Sequence, residues 1–262
     1  MVDDRQGHSG RRGPRQASGS WSGPGRARPA QPRTADKDHR APNDGPPIPP
    51  GVEAKQLAPE IRRELSTLDR ATADAVARHL VAAGELIDED PEAALKHARA
   101  ARARSSRIAA VREAVGIAAY HCGDWAQALA ELRAARRMGS KSALLALIAD
   151  CERGLGRPER AIELARGEEA AQLAGDDADE LRIVAAGARA DLGQLEQALT
   201  VLSTPQLDTS RSGSTAARLF YAYADTLLAL GRNDEALEWF LRSAAADIDG
   251  VTDAEERVGE LA

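Results

Sequence analysis

Residues 121–124 read His-Cys-Gly-Asp, which sets an imidazole beside a thiol with a carboxylate close behind. A cysteine nucleophile activated by a base uses those groups. Adjacent residues on a helix project about 100° apart, however, so His121 and Cys122 diverge and form a poor nucleophile and base. The second cysteine, Cys151, follows 29 residues later, with no Cys-x-x-Cys and no histidine pair at ligand spacing. Neither a disulfide framework nor a zinc site is indicated. There is no phosphate-binding glycine loop and no nucleophile motif. The carboxylates alternate with arginines in the manner of solvated helix faces. The expectation is a non-catalytic protein without cofactor or metal.

The elements that carry these residues follow from composition. Of 262 residues 43% are apolar but only 3% aromatic, and alanine is the favoured apolar residue. Small side chains suit closely packed helices better than a sheet, so the fold class is expected to be all-α. The net charge of −6 conceals four zones: +4 over 1–50, −5 over 51–95, +7 over 96–141 and −12 over 142–262. The first zone holds nine of the thirteen prolines and almost no aliphatic residues. A disordered basic tail is expected over 1–52, ending in a polyproline spacer. The first 30 residues lack the apolar run of a signal peptide, and no later stretch is apolar for long enough to cross a bilayer. A cytoplasmic, non-membrane protein is expected. A connecting helix is expected over 53–71, with Ile61, Leu65 and Leu68 on one face.

From residue 72 onward a motif recurs. A turn is followed by an alanine and then a leucine or isoleucine in DPEAAL, GDWAQAL, GRPERAI, GQLEQAL and GRNDEAL, which end at 95, 129, 162, 199 and 237. The alanines before the final aliphatic residue are Ala94, Ala128, Ala161, Ala198 and Ala236, spaced 34, 33, 37 and 38 apart. Twelve residues before each stands another small residue: Ala82, Gly116, Ala149, Ala186 and Ala224. Glycine opens four of the turns, at 123, 156, 193 and 231. On these residues the chain resembles the tetratricopeptide repeat family, whose unit is a helix, a tight turn and a second helix. The resemblance implies a right-handed superhelical solenoid of about five such units over 72–248, closed by a capping helix within 249–262. Glu89, Pro158, Glu168, Pro205 and Ser243 depart from the family pattern. The longer spacings place loops near 175–180 and over 204–213.

The resemblance also implies a concave surface, lined by each unit's first helix, that holds an extended peptide or a partner helix. Carried onto this chain it comprises His79, Glu113, Ile117, Tyr120, His121, Asp150, Arg153, Ile183, Asp191, Arg218, Tyr221 and Asp225. The lysines and asparagines that clamp chaperone C-termini in some family members are absent from the matching positions. A second surface is the basic zone, where Lys96, Arg99 and Arg102 recur one unit later as Arg133, Arg136 and Arg137, extended by Arg104, Arg107, Arg112 and Lys141. Such a stripe suits a nucleic-acid backbone, a ribosomal surface, an acidic protein or the acidic half of a second copy. The expected function is thus a protein-interaction adaptor, with nucleic-acid binding as the alternative.

Overall fold

The computed structural model describes residues 45–140 and 143–262, and among them there are twelve α-helices and no strand. They are α1 (Pro59–Leu65), α2 (Arg70–Leu86), α3 (Pro91–Arg104), α4 (Ala109–His121), α5 (Trp125–Arg137), α6 (Leu145–Gly154), α7 (Pro158–Ala165), α8 (Gly175–Asp191), α9 (Leu195–Ser203), α10 (Ser214–Ala229), α11 (Asn233–Ala246) and α12 (Ala254–Leu261). None of the described helices is long and apolar enough to cross a membrane.

Five helix pairs follow one another: α2 with α3, α4 with α5, α6 with α7, α8 with α9 and α10 with α11. Each pair carries its two recurring small residues in the buried interior. All nine recurring alanines are at most 3% exposed, and Gly116 is buried too. A Cβ on Gly116 would lie 2.7 Å from the Leu132 side chain, so the two backbones approach closer than any larger residue permits. Larger residues then fill the space between pairs; Val115, Leu132, Ile148 and Cys151 form one buried cluster spanning α4 to α6.

The turn glycines have a common backbone task. Gly123, Gly156, Gly193 and Gly231 have φ of 69°, 71°, 71° and 75°, a left-handed conformation that costs a side-chain-bearing residue energy. The residue after each glycine donates its N–H five positions back: Asp124 to Ala119, Arg157 to Glu152, Gln194 to Arg189 and Arg232 to Leu227, at 2.9–3.0 Å. This closure satisfies the last carbonyls of the helix. Three helices open with a side-chain cap, Asp69 accepting from Thr72 N, Asp90 from Ala93 N and Asp124 from Gln127 N.

Three expectations change. Residues 45–52, placed in the tail by composition, are packed: Val52 is buried and Ile48 lies against the Leu57, Leu65 and Val76 cluster. Residues 1–44 of the expected tail lie outside the described residues. The connecting segment is a 3₁₀ turn at Ala54–Gln56 followed by α1, and it breaks before α2 because Asp69 caps a new helix. Residues 175–180 are not a loop but the first turns of α8, where Asp176 and Asp177 favour the positive helix end. The loop at 204–213 is present, since α9 stops at Ser203 just ahead of Pro205. Ser243 fits where alanine was expected because its buried hydroxyl donates to Ala217 O at 2.8 Å.

Gly116→Val is expected to lower stability by about 1–3 kcal/mol through overpacking against Leu132. A urea melt measures this; an unshifted midpoint would mean that the crossing tolerates a side chain.

Candidate functional site

The expected groove residues lie on the first helices of the pairs, and the structure joins them across helix boundaries. Tyr120 of α4 donates its hydroxyl to Asp150 Oδ2 of α6. Arg153, one turn further along α6, donates from Nη1 to Asp150 Oδ1 at 2.7 Å and from Nε to Asp191 Oδ2 of α8 at 2.8 Å. Glu180 of α8 pairs with Arg218 of α10. Tyr221 of α10 lies near Asp253, at the start of α12, and Asp225 lies 3.7 Å from Arg257 of α12. Polar contacts therefore join successive first helices from α4 to α10 and α10 to α12, in separate groups at the two ends of α8.

Two glycines make the contacts at Trp125 and Arg153 possible. A Cβ at Gly154 would fall 2.5 Å from the Trp125 indole, so the ring lies flat on the α6 backbone. A Cβ at Gly187 would fall 2.7 Å from Arg153 Cζ, so the guanidinium rests on α8 in the same manner. Tyr120 meets Trp125 edge-on, with centroids 5.2 Å apart at 76°. Trp125, Asp150, Arg153, Gly156, Pro158 and Asp191 bound an open depression of about 530 Å³. Two carboxylates and one guanidinium leave its rim with a negative balance. Burial, then the bond to Asp150, holds the Tyr120 phenol well above its usual range, and burial with Asp253 pushes Tyr221 up to about 12. Both phenols are neutral donors at neutral pH.

The remaining expected groove residues are placed unequally. His121 is exposed at the end of α4, and Glu113 accepts from Ser140 Oγ at 2.7 Å. Ile117 packs half-buried on the core between α4 and α5, and Ile183 on that between α8 and α10. Tyr221 is backed by Phe240 and belongs to the cluster that holds Val258 and Leu261 of α12, so α12 packs over that end of the surface. His79 is corrected: it is 3% exposed, its Nδ1 lies 3.0 Å from His97 Nδ1, and it faces the neighbouring helix instead of solvent. Burial, followed by the charges of Arg104, His97 and Arg78, lowers its pKa to about 4, and burial lowers that of His97.

The basic stripe is largely tied inward by carboxylates that sequence reasoning missed. Glu131, 5% exposed on α5, accepts from both Arg102 and Arg112, and Glu152, 3% exposed on α6, accepts from Arg133 and Arg157. Asp179 holds Arg182 and Arg211 likewise. Arg99 bonds Gln127 and approaches Asp124, Arg136 pairs with Glu169 at 3.1 Å, and Arg104 donates to Ala100 O. Lys96, Arg107 and Arg137 are exposed and make no ion pair with a described residue, while Lys141 lies outside the described residues. A signal for the hidden acids existed: Glu131 follows Ala128 by three residues and Glu152 follows Ile148 by four, so both fall on buried faces.

The two cysteines are free, and burial raises both thiols, Cys151 to about 12. Among the described residues no group of three or more His, Cys, Asp or Glu is arranged to hold a metal. No family model matches the chain, and no curated protein matches it.

Glu131→Ala removes the shared acceptor of Arg102 and Arg112, whose side chains are 38% and 24% exposed and so regain water in part. A loss of about 1–3 kcal/mol in chemical denaturation is expected. The histidine pair predicts a pH effect. Its imidazoles are held neutral when folded but take protons when unfolded, so their contribution is whole above pH 6.5 and declines as pH falls toward 4. Melts at pH 7.5 and 4.5 are expected to differ by on the order of 2–3 kcal/mol more in the wild type than in His79→Gln.

Proposed function

We propose that the chain is a non-catalytic interaction adaptor of the cytoplasm, built as a tetratricopeptide-like solenoid, whose first-helix surface receives an extended or helical segment of a partner protein. The observation that carries this reading is the depression around Trp125, Asp150, Arg153 and Asp191. Its walls are prearranged. Arg153 is held by two carboxylates and a helix backbone, and Trp125 by Gly154 and Tyr120, so little side-chain freedom remains to be lost on binding.

The chemistry of the rim selects the segment. An arginine or lysine of the partner can stack on Trp125 while reaching Asp150 and Asp191. Apolar residues beside it would lie against Pro158. The inward pairing of Arg102, Arg112 and Arg133 supports a protein partner over a phosphate backbone, because those guanidiniums already have carboxylate acceptors.

The reading is tested with an array of short peptides in fluorescence anisotropy. Arginine-bearing peptides are expected to bind in preference to their acidic counterparts. Asp191→Asn is expected to weaken them by about fivefold and Asp191→Lys by more, as suits a half-exposed ion pair. Equal binding of acidic peptides, or indifference to both substitutions in a folded protein, would refute it.

A further inference from the structure

A second concavity lies between α7 and α8, away from the Trp125 depression, and its chemistry differs. The face of α8 formed by Ala178, Leu181, Arg182, Ala185 and Arg189 looks toward α7, but α7 is only eight residues long and offers Ile162, Ala165 and Arg166. Three of the side chains between the helices, Ala165, Ala178 and Ala185, are no larger than a methyl group. A half-open apolar cleft of about 200 Å³ is left, lined also by Ala170 and by Val201 of α9.

The charges at the cleft are unusual for this part of the chain. Residues 142–262 contain 11 arginines and lysines against 23 aspartates and glutamates. The cleft nevertheless has three arginines and no carboxylate in its wall. Two of the three have internal duties. Arg182 donates to Asp179 and to the carbonyls of Val201, Leu202 and Pro205, closing the end of α9, and Arg189 donates to Gln194. Arg166, at the C-terminal end of α7, is exposed and makes no ion pair with a described residue.

We propose that this cleft binds a short aliphatic carboxylate, with its chain between α7 and α8 and its head on Arg166. An apolar cavity of about 150 Å³ can take up benzene, so this one admits a chain of roughly six to eight carbons. A planar guanidinium matches a carboxylate through two parallel hydrogen bonds. The apolar wall discriminates against small inorganic anions, which gain nothing from it. The site is independent of the peptide-binding reading and involves none of its residues.

The test uses the full chain and sodium octanoate, with octanol and octylamine as controls of equal chain length. Calorimetry is expected to show saturable octanoate binding, with the Ala178 and Ala185 methyl resonances shifting in step. The two controls are expected to bind at least about tenfold more weakly. Arg166→Gln, an exposed change, is expected to weaken octanoate about tenfold, and Ala185→Leu to abolish binding by filling the cleft. Should Ala185→Leu fail to fold, Val201→Phe serves the same purpose from α9. Equal binding of octanol, octanoate binding unaltered by Arg166→Gln, or unshifted Ala178 and Ala185 methyls would each overturn the assignment.

Discussion

The close approach of paired helices at small residues is the constraint on which the rest of the structure depends. Gly116 against Leu132 leaves no room for a larger side chain, and the nine recurring alanines are buried at the equivalent places of the five pairs. Helix backbones held that near to one another fix the position of the next pair, because the large apolar residues around the crossing are the ones that fill the space between pairs. The polar contacts between successive first helices are a consequence. Single side chains such as Arg153 can join successive first helices only because Gly154 and Gly187 keep the backbone surfaces bare beneath Trp125 and the guanidinium.

Charge plays a structural part that net values hide. The zone at 96–141 carries +7, yet Arg102 and Arg112 converge on Glu131 while Arg133 joins Arg157 on Glu152. A buried carboxylate between two partly solvated guanidiniums has its lone pairs satisfied, and the arginine stems cover apolar surface as they reach it. Most of the zone's guanidiniums thus hold helices to one another. The acidic depression at Asp150 and Asp191 stands in contrast, since one arginine there serves two acids and the balance stays negative.

The helix pairs, the buried small residues within them and the four glycine turns were legible in the sequence, because each rests on a local rule: periodicity, packing volume and a left-handed φ. The closing helix at Ala254–Leu261 and the loop at 204–213 were legible for the same reason. The burial of His79 was not, since its neighbour His97 lies on the second helix of the pair and only folding brings them together. Glu131 and Glu152 were visible as polar residues on apolar faces, but composition counted them with the solvated acids. The packing of Ile48 and Val52 was concealed by the prolines around them, which mimic a linker while fixing a path over α2.

Helices that touch chiefly their neighbours along the chain also shape how the molecule reaches and leaves its native state. Contacts of short sequence separation are formed early, since little loop-closure entropy opposes them, so any central pair can serve as a nucleus from which order spreads both ways. Among the described helices α1 packs chiefly on α2 and α12 chiefly on α11, so each has fewer contacts to lose on opening. Amide protection would accordingly be graded, lowest in α1 and α12 and highest around α4 to α6, where the largest buried cluster lies.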